Sequence, residues 1–256
     1  MQKSGQIGEG VFFNCLFLCD IFCGTNIAFS PGMARPSRKQ VLGDGPAVVH
    51  LTHRFVNGEF LLRDSAMKAY LRSLLLVFKQ VFAIKIFSYC IMDSHFHLIL
   101  GFDSTEQLSG FVHAVCFRLA HKINETYDRT GHVFGDRAKT PAIQTGRRLI
   151  VTMRYIDLNP VRAGMVSGAH KYNFSSYRHY AYGEPDELVD DAPDYLGLSK
   201  NPARRRMAYR EMVTGLVGGG RERMGEFTSW YYIGERWWVE EKMVAQGFWK
   251  RKRPPG

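Results

Sequence analysis

Cysteine is scarce: five residues in 256, three of them (Cys15, Cys19 and Cys23) crowded into one short stretch. So few, so irregularly placed, exclude a disulfide-held secreted scaffold. The Cys15-x3-Cys19-x3-Cys23 pattern also lacks the two-residue spacing and nearby fourth ligand of a zinc site. Long apolar runs are missing too. None reaches the ~18 residues that a bilayer span needs, and the best candidate, Val11 to Cys23, is broken by Asn14 and Asp20. The single Lys3 before that stretch and the acid inside it argue against a secretory leader. Acid itself is in deficit, with 24 Asp and Glu against 34 Lys and Arg, a net charge of +10. With 45% hydrophobic and 23% charged residues the chain is globular in composition. The surplus charge favours a polyanionic partner without naming a fold or a reaction. A cytoplasmic protein that meets nucleic acid is the expectation.

The charge is unevenly placed. Residues 129–178 hold nine basic against two acidic side chains, whereas Glu184, Asp186, Glu187, Asp190, Asp191 and Asp194 form an acidic patch. The patch contains proline and reads as a linker between two basic blocks. Tyr127, Phe134, Tyr155, Tyr172, Phe174 and Tyr177 lie in or beside the first block. Cations for phosphates and flat rings for unstacked bases are what single-stranded nucleic acid requires. Residues 1–32, rich in Phe, Cys and Gly and without a clear period, read as an upstream extension with initiation at Met33.

Periodicity supplies the elements. Residues 47–56 (AVVHLTHRFV) are rich in β-branched residues and predict a strand. Residues 65–80 repeat apolar positions at three and four after Asp64 or Ser65 as N-cap, which predicts a helix. Residues 82–92 and 95–102 predict two strands about an Asp93-Ser94 turn. A long amphipathic helix follows over 105–126, with Thr105 near its start, then a basic, glycine-containing loop at 131–141 and a short edge strand within 141–145. A helix over 147–158 is stopped by Pro160. Strand, helix, strand, strand, helix, strand is the order of an α+β, ferredoxin-like split βαβ sandwich. Two helices on one sheet face would leave the other open to a ligand.

Two pairs of residues bear chemistry. His95 and His97 are two apart in a predicted strand, so they face the same way, about 6.5–7 Å apart along the backbone, with Phe96 on the opposite face. Two imidazoles so placed can reach one divalent cation, although an HxH pair alone is more often structural. Tyr155 and Asn159 are four apart in a predicted helix and share a face. They offer a phenol nucleophile and an amide oxygen as third metal ligand, again a weak signal in isolation.

Taken in order, these residues carry a resemblance. Tyr89-Cys90-Ile91-Met92-Asp93-Ser94-His95-Phe96-His97-Leu98-Ile99-Leu100 is similar to the "YCxMxNHxHLLL" stretch of the REP-associated tyrosine transposases, members of the single-tyrosine HUH superfamily. The run from Gly131 to Lys139 resembles that family's "GHLFQGRFK" loop, Arg154 to Val166 its "RYIHLNPVRAGLV" helix and turn, and Phe174-Ser175-Ser176-Tyr177 its "WSSY". Met33-Ala34-Arg35-Pro36 and His50-Leu51-Thr52-His53-Arg54 resemble its N-terminus. The likeness spans roughly 33–183, which defines a catalytic domain there, with 1–32 before it and 184–256 after it as acidic linker and basic, mostly helical C-terminal extension. Ser94 stands where Asn is usual, Phe174 where Trp is common and Asp136 where Gln or Glu is common.

The resemblance implies a transposase that cuts and rejoins single-stranded or hairpin DNA. Tyr155 would be the nucleophile, forming a 5′-phosphotyrosine, and His95, His97 and Asn159 would hold Mg²⁺ or Mn²⁺. Imidazole nitrogens suit Mn²⁺ better. Arg137, Lys139, Arg147, Arg148, Arg154 and Arg162 would contact phosphates, and Lys250 to Arg253 with Trp249 would add non-specific affinity or form a loose end. Monomer and homodimer are both open. The alternative is a regulator that keeps the basic fold, binds nucleic acid and no longer cuts.

Overall fold

The structure is a computed structural model, and it describes residues 36–215 and 231–248. The expectations placed on 1–32, on Met33, on the three early cysteines and on Lys250 to Arg253 lie outside those residues. The described segments fall in one compact unit. It opens with the short helix α1 (Arg38–Leu42), followed by β1 (Ala47–Arg54), α2 (Ser65–Val81), β2 (Lys85–Ile91), β3 (His95–Phe102) and α3 (Thr105–Thr126). Then come β4 (Ala142–Ile143), α4 (Arg147–Asp157), α5 (Asn159–Arg162), α6 (Tyr177–Tyr182), α7 (Pro193–Leu196), α8 (Pro202–Thr214) and β5 (Tyr232–Ile233). A last helix covers Arg236–Ala245.

The sheet runs β2-β3-β1-β4-β5. The first three neighbouring pairs are antiparallel, while β5 joins β4 in parallel. Over four strands this is the ferredoxin-like order, and β5 extends it from the C-terminal region. Capping residues set the helix starts. Asp64 caps α2 through Ala66 N (2.9 Å). Ser104, rather than Thr105, caps α3 in a reciprocal box with Gln107. The start of α4 has no side-chain cap; Gly146 there holds φ +87°, ψ −140°, a conformation that only glycine adopts without strain.

Each sheet face carries its own core. Val49, Leu51, Phe96, Leu98 and Leu100 alternate onto one face and pack under α2 and α3 against Leu71, Leu75, Leu108, Val115 and Leu119. Phe96 is thus buried on the face away from the histidines that flank it, as the strand period requires. The second face is not open. Cys90 and Ile99 are covered by Leu149, Ile150, Met153 and Ile156 of α4, and behind them by Tyr177, Tyr180 and Tyr209. Two helices could not bury both faces of a sheet this apolar, so α4 and the C-terminal segment close the other side.

Two further expectations are corrected. The acidic patch at 184–194 is no linker. Asp186 accepts from Tyr89 Oη (2.7 Å) and from Arg72 Nη2 (2.6 Å), Asp190 accepts from Ile86 N (2.8 Å) and pairs with Lys79, and Leu188 and Ala192 are fully buried. The carboxylates satisfy cations and strand donors along the outer edge of β2. The rings interleaved with the basic block also belong largely to the core: Tyr172 and Tyr177 are buried, and Phe134 and Phe174 pack against it.

Candidate functional site

β1 and β3 pair so that Thr52 lies opposite His97, and Arg54 opposite His95. Since alternate side chains share a face, His50, Thr52 and Arg54 line up beside His95 and His97 on the α4 side of the sheet. His50 and His97 are stacked with ring centroids 5.1 Å apart, and His95 meets His97 edge-on at 4.9 Å. From α4, Tyr155 brings its ring to 6.0 Å from both His50 and His97. The sequence reading paired His95, His97 and Tyr155; the structure brings those three together and adds His50, Thr52 and Arg54. Their signal was the polar-apolar alternation in AVVHLTHR, which places all three opposite Val49 and Leu51.

The hydrogen bonds of both histidines in the HxH pair run through Nδ1. Ser94 Oγ lies 3.0 Å from His95 Nδ1, while His50 Nε2 and Thr52 Oγ1 lie 2.9 Å and 3.0 Å from His97 Nδ1. Ser94, the departure from the usual Asn, therefore still touches the ring beside it. Burial disfavours the imidazolium: it lowers the His95 pKa to about 4, with Arg54 adding repulsion. Burial, followed by the neighbouring His50, His95 and Arg54, pushes His97 well below its ordinary value. Both rings are neutral at pH 7. The Tyr155 phenol is raised by burial, opposed by the charges of Arg162 and Arg54. The Arg162 guanidinium lies 5.0 Å over the Tyr155 ring and its Nη1 donates to the Tyr155 carbonyl (3.0 Å).

Asn159 opens α5, one turn after Tyr155. Its Nδ2 is buried with no hydrogen-bond partner. An amide turned by half a rotation sets its oxygen in that orphaned position, as a cation ligand would need. Among the described residues no group of three His, Cys, Asp or Glu forms a ready-made metal site. His95, His97 and the Asn159 amide are the side chains here whose donor chemistry could suit a divalent ion.

The basic residues divide. The 131–141 loop runs antiparallel to β1, joined through Lys139 N and O to Thr52 (2.9 Å each way) and Gly135 N to Arg54 O (3.2 Å). It presents exposed Arg137 and Lys139, and with Thr52, His53, Arg54, Gly135 and Asp136 they line a cavity of about 290 Å³ that reaches the cluster at Thr52. Asp136 accepts from Arg137 N (2.6 Å), and its carbonyl accepts from His53 Nε2 (2.9 Å). Arg147 and Arg162 are exposed and Arg154 is half-buried. Arg148 departs from the expectation: it is buried and tied to Glu235 (2.9 Å), an ion pair that fixes the start of α4 rather than a contact for phosphate. A larger cavity, about 430 Å³, sits between Lys85, Phe87, Gly101, Tyr232 and Trp238, near the opposite ends of β1 and β3.

A family model described as "Transposase IS200 like" matches residues 47–159, from the first residue of β1 to Asn159. That span contains His50, His95, His97 and Tyr155 of the ring cluster, and ends on Asn159. Over that span, somewhat under half of the chain, the sequence is similar to the IS200-like transposases. Among solved structures, one described as a REP-associated tyrosine transposase bound to a REP hairpin is similar over 62% of this chain and 93% of its own, at 18% identity and a TM-score of 0.50. A putative transposase from Deinococcus radiodurans R1 matches over 49% of this chain and 96% of its own, at 15% identity and a TM-score of 0.34. None of the curated proteins matches the chain.

Proposed function

We propose that this protein cleaves and rejoins single-stranded DNA at hairpin-forming repeats, with Tyr155 as the nucleophile. The observation that carries the reading is the approach of the Tyr155 ring to within 6.0 Å of the His97 ring across two distant parts of the fold. The Tyr155 oxygen attacks the scissile phosphorus, the P–O bond to the preceding 3′ oxygen breaks, and a 5′-phosphotyrosine and a free 3′-OH result. Attack of a 3′-OH on that ester reverses the step without ATP, because the bond energy is kept in the linkage.

His95 and His97, neutral at pH 7, and the Asn159 amide would hold Mg²⁺ or Mn²⁺. A bound divalent ion withdraws charge from the non-bridging phosphate oxygens. Arg162 and Arg54 favour the phenolate over the phenol, against the burial that raises its pKa. Arg137 and Lys139 in the loop, with Arg147, Arg154 and Arg162, supply cations along the DNA backbone. A hairpin substrate is supported by the fold shared with a transposase described as bound to one.

The test is incubation with hairpin-containing single-stranded DNA and Mn²⁺, followed by a denaturing gel. The wild type should yield a covalent protein–DNA adduct and Tyr155→Phe none, because phenylalanine has no oxygen to attack. An adduct that persists in Tyr155→Phe assigns the wrong nucleophile. Chelator-resistant binding with no adduct under any divalent ion makes the protein a DNA-binding regulator.

A further inference from the structure

The buried imidazole of His50 stands beside the HxH pair yet is no member of the family-type donor set. His50 is 0% and His97 1% exposed, on neighbouring strands. His50 Nε2 lies 2.9 Å from His97 Nδ1, and Thr52 Oγ1 lies 3.0 Å from that same nitrogen and 3.3 Å from His50 Nε2. Three polar atoms within mutual reach must share their protons. A neutral imidazole carries one N–H, so the choice made at Nδ1 of His97 decides whether its Nε2 has a lone pair.

We propose that His50 is a positioning residue: with Thr52 it accepts the proton of His97 Nδ1 and so keeps His97 Nε2 as an unprotonated donor facing the site. Two arrangements of protons are available. In one, His50 Nε2 carries a proton and donates to His97 Nδ1, which leaves His97 with N–H at Nε2 and unable to bind a cation there. In the other, His97 Nδ1–H donates to His50 Nε2 directly, or to Thr52 Oγ1 whose hydroxyl then donates on to His50. Only the second suits the pairing with His95, whose Nδ1 is likewise engaged, by Ser94 Oγ (3.0 Å). Both rings then present Nε2, and the two donors converge from one strand.

The same contact removes His50 from the set of cation ligands through Nε2, since that nitrogen's lone pair is committed to the proton from His97. A histidine that binds metal through one nitrogen is ordinarily held by an acceptor at the other, and loss of that acceptor weakens metal binding 10–100-fold. His50 meets that description from the neighbouring strand rather than from a loop. Its position is set by the β1–β3 register, in which Thr52 faces His97 and His50 sits on the diagonal. The register therefore determines the tautomer of His97.

The assignment to a metal-binding site rests on the proposed function, whereas the tautomer can be read in metal-free protein. Long-range ¹H–¹⁵N spectra of ¹⁵N-labelled full-length chain, with His97 assigned through His97→Asn, should show a protonated Nδ1 and a pyridine-like Nε2. His50→Ala should shift His97 toward the N–H at Nε2 that imidazole favours in water, and should weaken Mn²⁺ binding, followed by electron paramagnetic resonance, by about 10–100-fold. His50→Gln, whose amide oxygen can accept in place of Nε2, should recover most of both. A proton on Nε2 in the wild type, or a His50→Ala protein with unchanged tautomer and Mn²⁺ affinity, overturns the proposal. If His50→Ala does not fold, the wild-type spectrum and the Gln variant decide alone. A wild type with the expected tautomer that takes up no Mn²⁺ leaves the assignment of the proton standing and overturns instead the metal reading of the site.

Discussion

Asp157 sits two residues from Tyr155 but on the other side of α4, fully buried and accepting a 2.6 Å hydrogen bond from Tyr209 Oη. Burial raises its pKa to about 8, with the Tyr209 hydroxyl opposing. The folded protein thus holds a proton that the unfolded chain releases above its ordinary value near 4. Where the folded state binds more protons, stability falls as pH rises. The contribution is complete below pH 4 and is lost progressively up to about 8. Asp157→Asn keeps an acceptor for Tyr209 and removes the titration. Thermal unfolding across pH 4–8 should show the wild type losing stability relative to Asp157→Asn. Parallel pH profiles for the two proteins would refute a protonated Asp157. At the same scale, residue types were readable in advance for His95, His97 and Tyr155 because their spacing carries a period. The roles of Asp157 and Arg148 were not, because nothing in a spacing reveals which charged side chain is buried.

Elements show where local signals suffice and where they fail. The helix over Thr105–Thr126 matches its predicted span residue for residue, because a capping box and a clear apolar repeat act together. The tyrosine helix is less simple. Pro160 does not merely end it; α4 stops at Asp157 and Pro160 occupies the first turn of α5, where its missing N–H carries no penalty. Asn159 consequently begins a new helix close beneath Tyr155 instead of continuing the old one. The turn that carries His95 is anchored from α2: Lys68, 6% exposed, reaches Asp93 Oδ1 at 2.6 Å and lies over the Tyr172 and Phe174 rings. Removing Lys68 leaves the mostly buried Asp93 carboxylate without its cation. Lys68→Ala is expected to destabilise the fold by about 3 kcal/mol in urea unfolding, and a change below ~0.5 kcal/mol would mean that the pair is effectively solvated.

The whole molecule is organised by what covers the sheet. Outer edges of sheets attract further strands unless blocked, and here 174–190 does the blocking. Phe174 O accepts from Ile91 N (2.9 Å), Ser176 N donates to Tyr89 O (3.0 Å) and Asp190 N donates to Ile86 O (2.8 Å). Behind this edge Tyr180, Tyr195 and Tyr209 pack edge-on and tilted against one another. Residues 184–215 therefore pack into the same compact unit as the His and Tyr cluster. A chain ended at Gly183 should lose cooperative thermal unfolding and aggregate, since it bares β2 and the second core together. A sharp transition in that truncated chain, near the wild-type temperature, would restore the linker reading.

Alternation, repeats and caps along the chain determine which residues form strands and helices, because each is a local preference written at a period of two or about 3.6. They sufficed for the α+β order, for the two histidines facing one way and for Tyr155 on a helix. Only the tertiary structure decided what those elements lie against. The closing of the second sheet face by α4, the burial of the acidic segment on β2 and the pairing of Thr52 with His97 all depend on register and packing between distant segments. A period states which face a side chain takes, and never the partner that it meets there.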